Sequence, residues 1–115
     1  MFFTYHQNNS GGSFEQDPKR GIGHVVIVEA RDAYDADNLA KRIGLYFDGC
    51  SSGRDCSCCG DRWSSMTDYY YKEQGDEVPT IYGQEVDFEK DKNLQYGWDI
   101  PCYVHYLDGR IVEFT

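Results

Sequence analysis

The run His24-Val25-Val26-Ile27-Val28 constrains this chain more than any other stretch. β-Branched residues favour extended backbone, and consecutive side chains of a strand point to opposite faces. A strand that is apolar at consecutive positions buries both faces, so it belongs in the middle of a sheet with material above and below. Phe2 to His6 reads as a second short strand, aromatic and β-branched at its heart. Pro101 to Tyr106 and Ile111 to Phe114 flank Leu107-Asp108-Gly109-Arg110. Asp-Gly between two alternating apolar runs is a strong hairpin signal. Val78 to Val86 reads as a short strand, a Tyr82-Gly83 turn and a brief return.

Between the first strands and the last hairpin lies one helical pattern. Ala33, Ala36, Leu39, Ala40 and Ile43 recur at helical spacing, with Asp32 or Asp35 as the cap and an end near Leu45. Lys41 and Arg42 complement the dipole in the last turn. Gln7 to Gly23 is a long polar, Gly-bearing loop, and Ser64 to Asp76 is a polar connector containing Tyr69-Tyr70-Tyr71. Asp87 to Gln95 is charged and reads as a short exposed helix or a loop. These elements predict one α+β domain over residues 1–115. A mostly antiparallel sheet of about four or five strands carries one main helix on one face, with a Cys/Gly-rich loop after the helix at a sheet edge.

Composition excludes several roles. Acidic residues number 20 against 11 Lys plus Arg, a formal net charge of -9, which opposes binding to duplex nucleic acid. No stretch has the apolar length of a membrane span, and MFFTYHQNN does not read as a secretory signal. His6, His24 and His105 all fall on predicted strands, no Ser sits in a nucleophile elbow, and the carboxylates are scattered. The expectation is a protein that is not an enzyme. A Tyr-rich edge or the C-terminal hairpin offers a surface for a C2 homodimer.

The unusual stretch is Asp48 to Gly60, which holds four of the five cysteines and three glycines. Cys56 and Cys59 form a C-x2-C pair followed by Gly60, the spacing of half a zinc knuckle. Cys56, Cys58, Cys59 and Cys50 form the candidate set for zinc, with Cys102 and the three histidines as further ligands to draw on. No second C-x2-C completes a closed site. Small thiols packing in a tight loop explain the same residues more simply, and redox use ranks below zinc. Gly49, Gly53 and Gly60 with Arg54 and Arg62 suggest a nest of backbone amides flanked by guanidinium forks, suited to phosphate or carboxylate. The alternative is that the arginines pair with Asp55, Asp61 or Asp48 and fix the loop. There is no P-loop or dinucleotide fingerprint.

Asp55-Cys-Ser-Cys-Cys-Gly-Asp-Arg-Trp63, with the opening Phe2-Phe-Thr-Tyr-His-Gln-Asn-Asn-Ser-Gly-Gly-Ser-Phe14 and Ile43-Gly-Leu-Tyr-Phe-Asp-Gly49, resembles a family of small uncharacterised proteins of tailed bacteriophages. The resemblance implies a protein made in the cytoplasm of an infected host cell, and it carries over no catalytic residues. The shared loops suggest a site near Asn8 to Gly12 and Cys56 to Trp63, because loop residues seldom serve packing alone. The expected function is a non-enzymatic accessory binding protein, an inhibitor of host defence. It would bind a host defence protein or sequester a nucleotide messenger through Asn8, Asn9, Tyr46, Arg54, Asp61, Arg62 and Trp63. The alternative is a small zinc-stabilised structural or interaction module.

Overall fold

A computed structural model describes residues 1–8, 14–67, 75–81, 84–86 and 101–114. Its elements are β1 (Phe2–His6), β2 (Val25–Glu29), α1 (Ala33–Ile43), β3 (Thr80–Ile81), β4 (Gln84–Glu85), β5 (Cys102–His105) and β6 (Ile111–Phe114). Four strands form one sheet in the order β1-β2-β5-β6, and β3 pairs with β4 in a separate two-stranded sheet. The class is α+β. Pairings β1–β2 and β5–β6 are antiparallel, whereas β2 and β5 run parallel with Val26 opposite Tyr103 and Val28 opposite His105. A parallel pair requires a long crossover, and here α1, the Cys/Gly-rich loop and the β3–β4 unit lie within it.

Strand β2 has its first four residues buried, as its unbroken apolar run requires. Val26 and Val28 point to one face and join Phe3, Tyr5, Ala36, Ala40, Leu45, Trp63 and Met66. Val25 and Ile27 point to the other and join Phe2, Ile81, Val86, Cys102 and Val104. The sheet is therefore the middle layer, with α1 and the segment leading to Met66 on one side and the β3–β4 unit on the other. Phe2 meets Tyr106 edge-on at 5.7 Å on the second side.

Asp32 is the cap of α1, its carboxylate accepting from the Asp35 amide at 2.8 Å. The helix ends at Ile43, where the Gly44 amide returns to the Ala40 carbonyl, two residues before the expected Leu45. The hairpin over 101–114 forms as expected, closed by the Tyr106 amide on the Arg110 carbonyl. Among the described residues no helix is long and apolar enough to cross a membrane. The Tyr82-Gly83 turn, the Tyr69-Tyr70-Tyr71 run and the Asp87 to Gln95 segment lie outside the described residues.

Candidate functional site

The loop after α1 is organised by a buried carboxylate. Asp48 adopts a left-handed backbone, φ 57°, and turns the chain so that the Gly49 carbonyl accepts from the amides of both Arg54 and Asp55. This fold-back sends the Asp55 side chain inward, where it is 1% exposed. A buried carboxylate must be satisfied, and this one is. It accepts from the Tyr46 hydroxyl at 2.6 Å and from the Arg62 amide at 2.8 Å, and the Arg62 guanidinium lies 3.8 Å away. Position 49 must be glycine because a Cβ there would occupy the space taken by the Asp55 carboxylate and the Tyr46 ring. Burial, and then the bond to Asp55, push the Tyr46 hydroxyl above its usual range, so it holds its proton and remains the donor.

Arg62 is the second brace. Its side chain is 12% exposed, with Nε donating to the Tyr46 hydroxyl at 3.2 Å and Nη1 donating to Gln7 Oε1 at 2.8 Å. Gln7 is itself buried, and its amide group donates to the Gly23 carbonyl at 2.7 Å. Asn8 extends the clasp: its side-chain amide donates to the carbonyls of Cys59 at 2.7 Å and Asp61 at 3.3 Å. The carboxylate of Asp61 accepts from the Cys50 amide at 2.8 Å. The end of β1 and the start and end of the loop are thus one hydrogen-bonded unit.

The sequence-derived site residues therefore divide. Asn8, Asp61 and Arg62 face inward and hold the loop in shape. Trp63 is a correction to the expected surface: it is 1% exposed and belongs to the core against α1, where its apolar area is buried with Phe3 and Tyr5. Asn9 lies outside the described residues. Arg54 and Tyr46 remain at the surface, with the Arg54 guanidinium 3.8 Å above the Tyr46 ring. Among the described residues Arg54 has no carboxylate partner.

Much of the amide nest is already used within the loop. The amides of Ser52, Gly53, Arg54, Asp55, Cys59 and Gly60 are taken by carbonyls of the loop, and those of Cys50 and Arg62 by its own carboxylates. The alternative in which Arg62 pairs with Asp55 is the one that forms.

The thiols are unlike one another. The Cys50 thiol donates to the Cys56 carbonyl at 3.3 Å, and burial with the neighbouring Asp61 carboxylate pushes it up to about 11. Backbone amides of Cys58 and Cys59 turned toward Cys56 hold that thiol below its usual range. Cys58 and Cys59 are exposed, and Cys102 is in the core beneath the sheet. Among the described residues no three His, Cys, Asp or Glu side chains are placed to hold a metal ion. Cys50, Cys56, Cys58 and Cys59 thus do not assemble the closed four-ligand site that structural zinc takes.

A second surface was not legible in the sequence. A groove of about 310 Å³ lies between α1 and the C-terminal hairpin, lined among others by Leu39, Arg42, Ile43, Tyr106 and Arg110. Leu107 and Ile111, 58% and 50% exposed, stand at its side. The only sequence signal here is apolar residues beside a tight turn, which ordinary hairpins also carry.

No curated protein and no solved structure gives a significant match to the chain. One family model, described as a domain of unknown function (DUF7296), matches residues 1–115, and the protein belongs to that family.

Proposed function

We propose that the protein is a non-enzymatic binding module whose working surface is the braced loop from Asp48 to Gly60, with Arg54 stacked on Tyr46 at its centre. The observation that carries this reading is the state of Arg54: exposed, held over an aromatic ring at 3.8 Å, and without a carboxylate among the described residues. A guanidinium pre-oriented on a ring loses less freedom on binding, and arginine and tyrosine are among the residue types enriched at interface hot spots. The consumed backbone amides favour a protein partner over a phosphate-bearing messenger, since a phosphate would need those donors. The likeness of the Asp55 to Trp63 motif to tailed-phage proteins makes a host defence protein the partner class of choice, met in the host cytoplasm.

The test is affinity capture from a bacterial host extract by immobilised wild type and by Arg54→Glu, with circular dichroism to establish that both are folded. A host protein retained by the wild type and reduced about tenfold or more on the variant supports the reading. Equal retention by both forms, or tight calorimetric binding of a cyclic oligonucleotide by the wild type, overturns it.

A further inference from the structure

The Cys56 to Gly60 segment has a geometry the binding reading does not use. The amides of Cys59 and Gly60 both return to the Cys56 carbonyl, at 3.2 and 3.1 Å, and Gly60 leaves the turn at φ 90°. This is a single helical turn closed by a glycine. Residues three apart on such a turn lie on one side of it. A turn closed in this way brings the first and fourth Cα atoms within about 7 Å, which overlaps the span a disulfide bridges, about 4.4–6.8 Å. Cys56 and Cys59 meet that condition. The Cys56 thiol is met by the thiols of both Cys59 and Cys58, but a Cys56–Cys58 bond would close a ring over a single intervening residue and adjacent Cys58 and Cys59 would be strained if joined, so the turn favours the Cys56–Cys59 pair. The turn is also anchored, because Asn8 at the end of β1 donates to the Cys59 carbonyl at 2.7 Å.

We propose that Cys56 and Cys59 form a reversible dithiol–disulfide pair, a redox modification site carried on the turn that Asn8 anchors. The oxidant is a low-molecular-weight disulfide such as oxidised glutathione. The Cys56 thiolate attacks one sulfur of that disulfide, a bond forms between Cys56 and one glutathione, and the other glutathione leaves as a thiolate. The Cys59 thiolate then attacks the Cys56 sulfur, closing the protein disulfide and releasing the second glutathione. The protein gives up two electrons, the external disulfide takes them, and the two protein thiol protons end on the two released thiols. Exposure of Cys59 and half-exposure of Cys56 admit the reagent. Cys50, facing a backbone carbonyl, and Cys102, in the core, are spectators. This inference is independent of the partner proposed above.

The experiment treats the folded, fully reduced protein with oxidised glutathione, alkylates the remaining thiols and maps the tryptic peptide between Arg54 and Arg62. The expected product has lost two hydrogens, with an internal bond and one alkylated residue, Cys58. Cys58→Ser closes at the wild-type rate. Cys59→Ser closes at least about tenfold more slowly and accumulates the glutathione adduct on Cys56. Retained helical and sheet signal in each variant keeps the comparison valid. Closure slowed less than about tenfold in Cys59→Ser or lost in Cys58→Ser, reaction appearing only after unfolding, or tightly bound zinc that shields all three thiols each overturns the proposal.

Discussion

Two buried aspartates do different jobs among a surplus of exposed acids. Asp37, on α1, accepts from the Tyr5 hydroxyl at 2.7 Å, from the Met66 amide at 2.9 Å and from the Thr67 hydroxyl at 2.7 Å. It therefore ties the helix to β1 and to the segment beyond Trp63. Burial, with Asp37 as hydrogen-bond partner, keeps the Tyr5 hydroxyl far above its ordinary range and so a permanent donor. Removing the carboxylate strands several buried donors at once, and each stranded donor carries a desolvation penalty of about 1–3 kcal/mol. Asp37→Ala is expected to destabilise the protein by about 3 kcal/mol in urea unfolding. A loss within about 0.5 kcal/mol would mean that water satisfies those donors equally well. Nothing in the sequence distinguishes Asp37 or Asp55 from the other acidic residues. Their burial follows from where the chain crosses itself, which no local pattern records.

At the scale of elements, legibility tracks how local the cause is. The helix over 33–43 and the hairpin over 102–114 are set by cap, periodicity and an Asp-Gly turn, and all three are visible in the residues themselves. The parallel pairing of β2 with β5 joins Val26 to Tyr103 across most of the chain and leaves no local trace. The loop is an intermediate case. Its composition marks it as unusual, but which side chains face inward depends on Gln7 and Asn8 arriving from β1. Gly49 offers the sharpest test of that arrangement. Gly49→Ala places a methyl group where the Asp55 carboxylate and Tyr46 ring lie, so the brace must open or shift. The expected cost is about 1–3 kcal/mol, with faster tryptic cleavage after Arg54 and unchanged cleavage after Arg31 on the far end of α1. Unaltered cleavage after Arg54 would show that the loop accommodates the methyl group and is not held by this contact.

Over the whole molecule, the histidines couple the fold to pH. His24 is 9% exposed, and burial, reinforced by the nearby His6, holds it below the ordinary histidine range. His105 is lowered by burial as well, in spite of its ring Nε2 lying 2.8 Å from the Gly21 carbonyl, a contact that favours the charged form. Burial lowers His6 as well, so all three bases take up protons more readily in the unfolded chain than in the folded one. Their contribution is fully present above the unfolded value near 6.5, where both states are neutral. As pH falls below that value the unfolded chain gains protons that the folded protein refuses, and stability declines until the lowered folded values are passed. The urea midpoint is expected to drop between about pH 7 and about pH 5, before most carboxylates titrate. Replacing His24 with the neutral isostere, His24→Asn, removes one of the three bases and should make that slope shallower, whereas an exposed acid such as Glu77 replaced by Gln should leave it unchanged. A midpoint that holds steady to pH 5, or a slope that His24→Asn leaves untouched, would mean that the rings stay wet or paired in the charged form. Among the described residues no histidine hydrogen-bonds to Arg54, Tyr46 or the Asp55 carboxylate, so loss of partner capture in this range would follow global unfolding and not a local change at the loop.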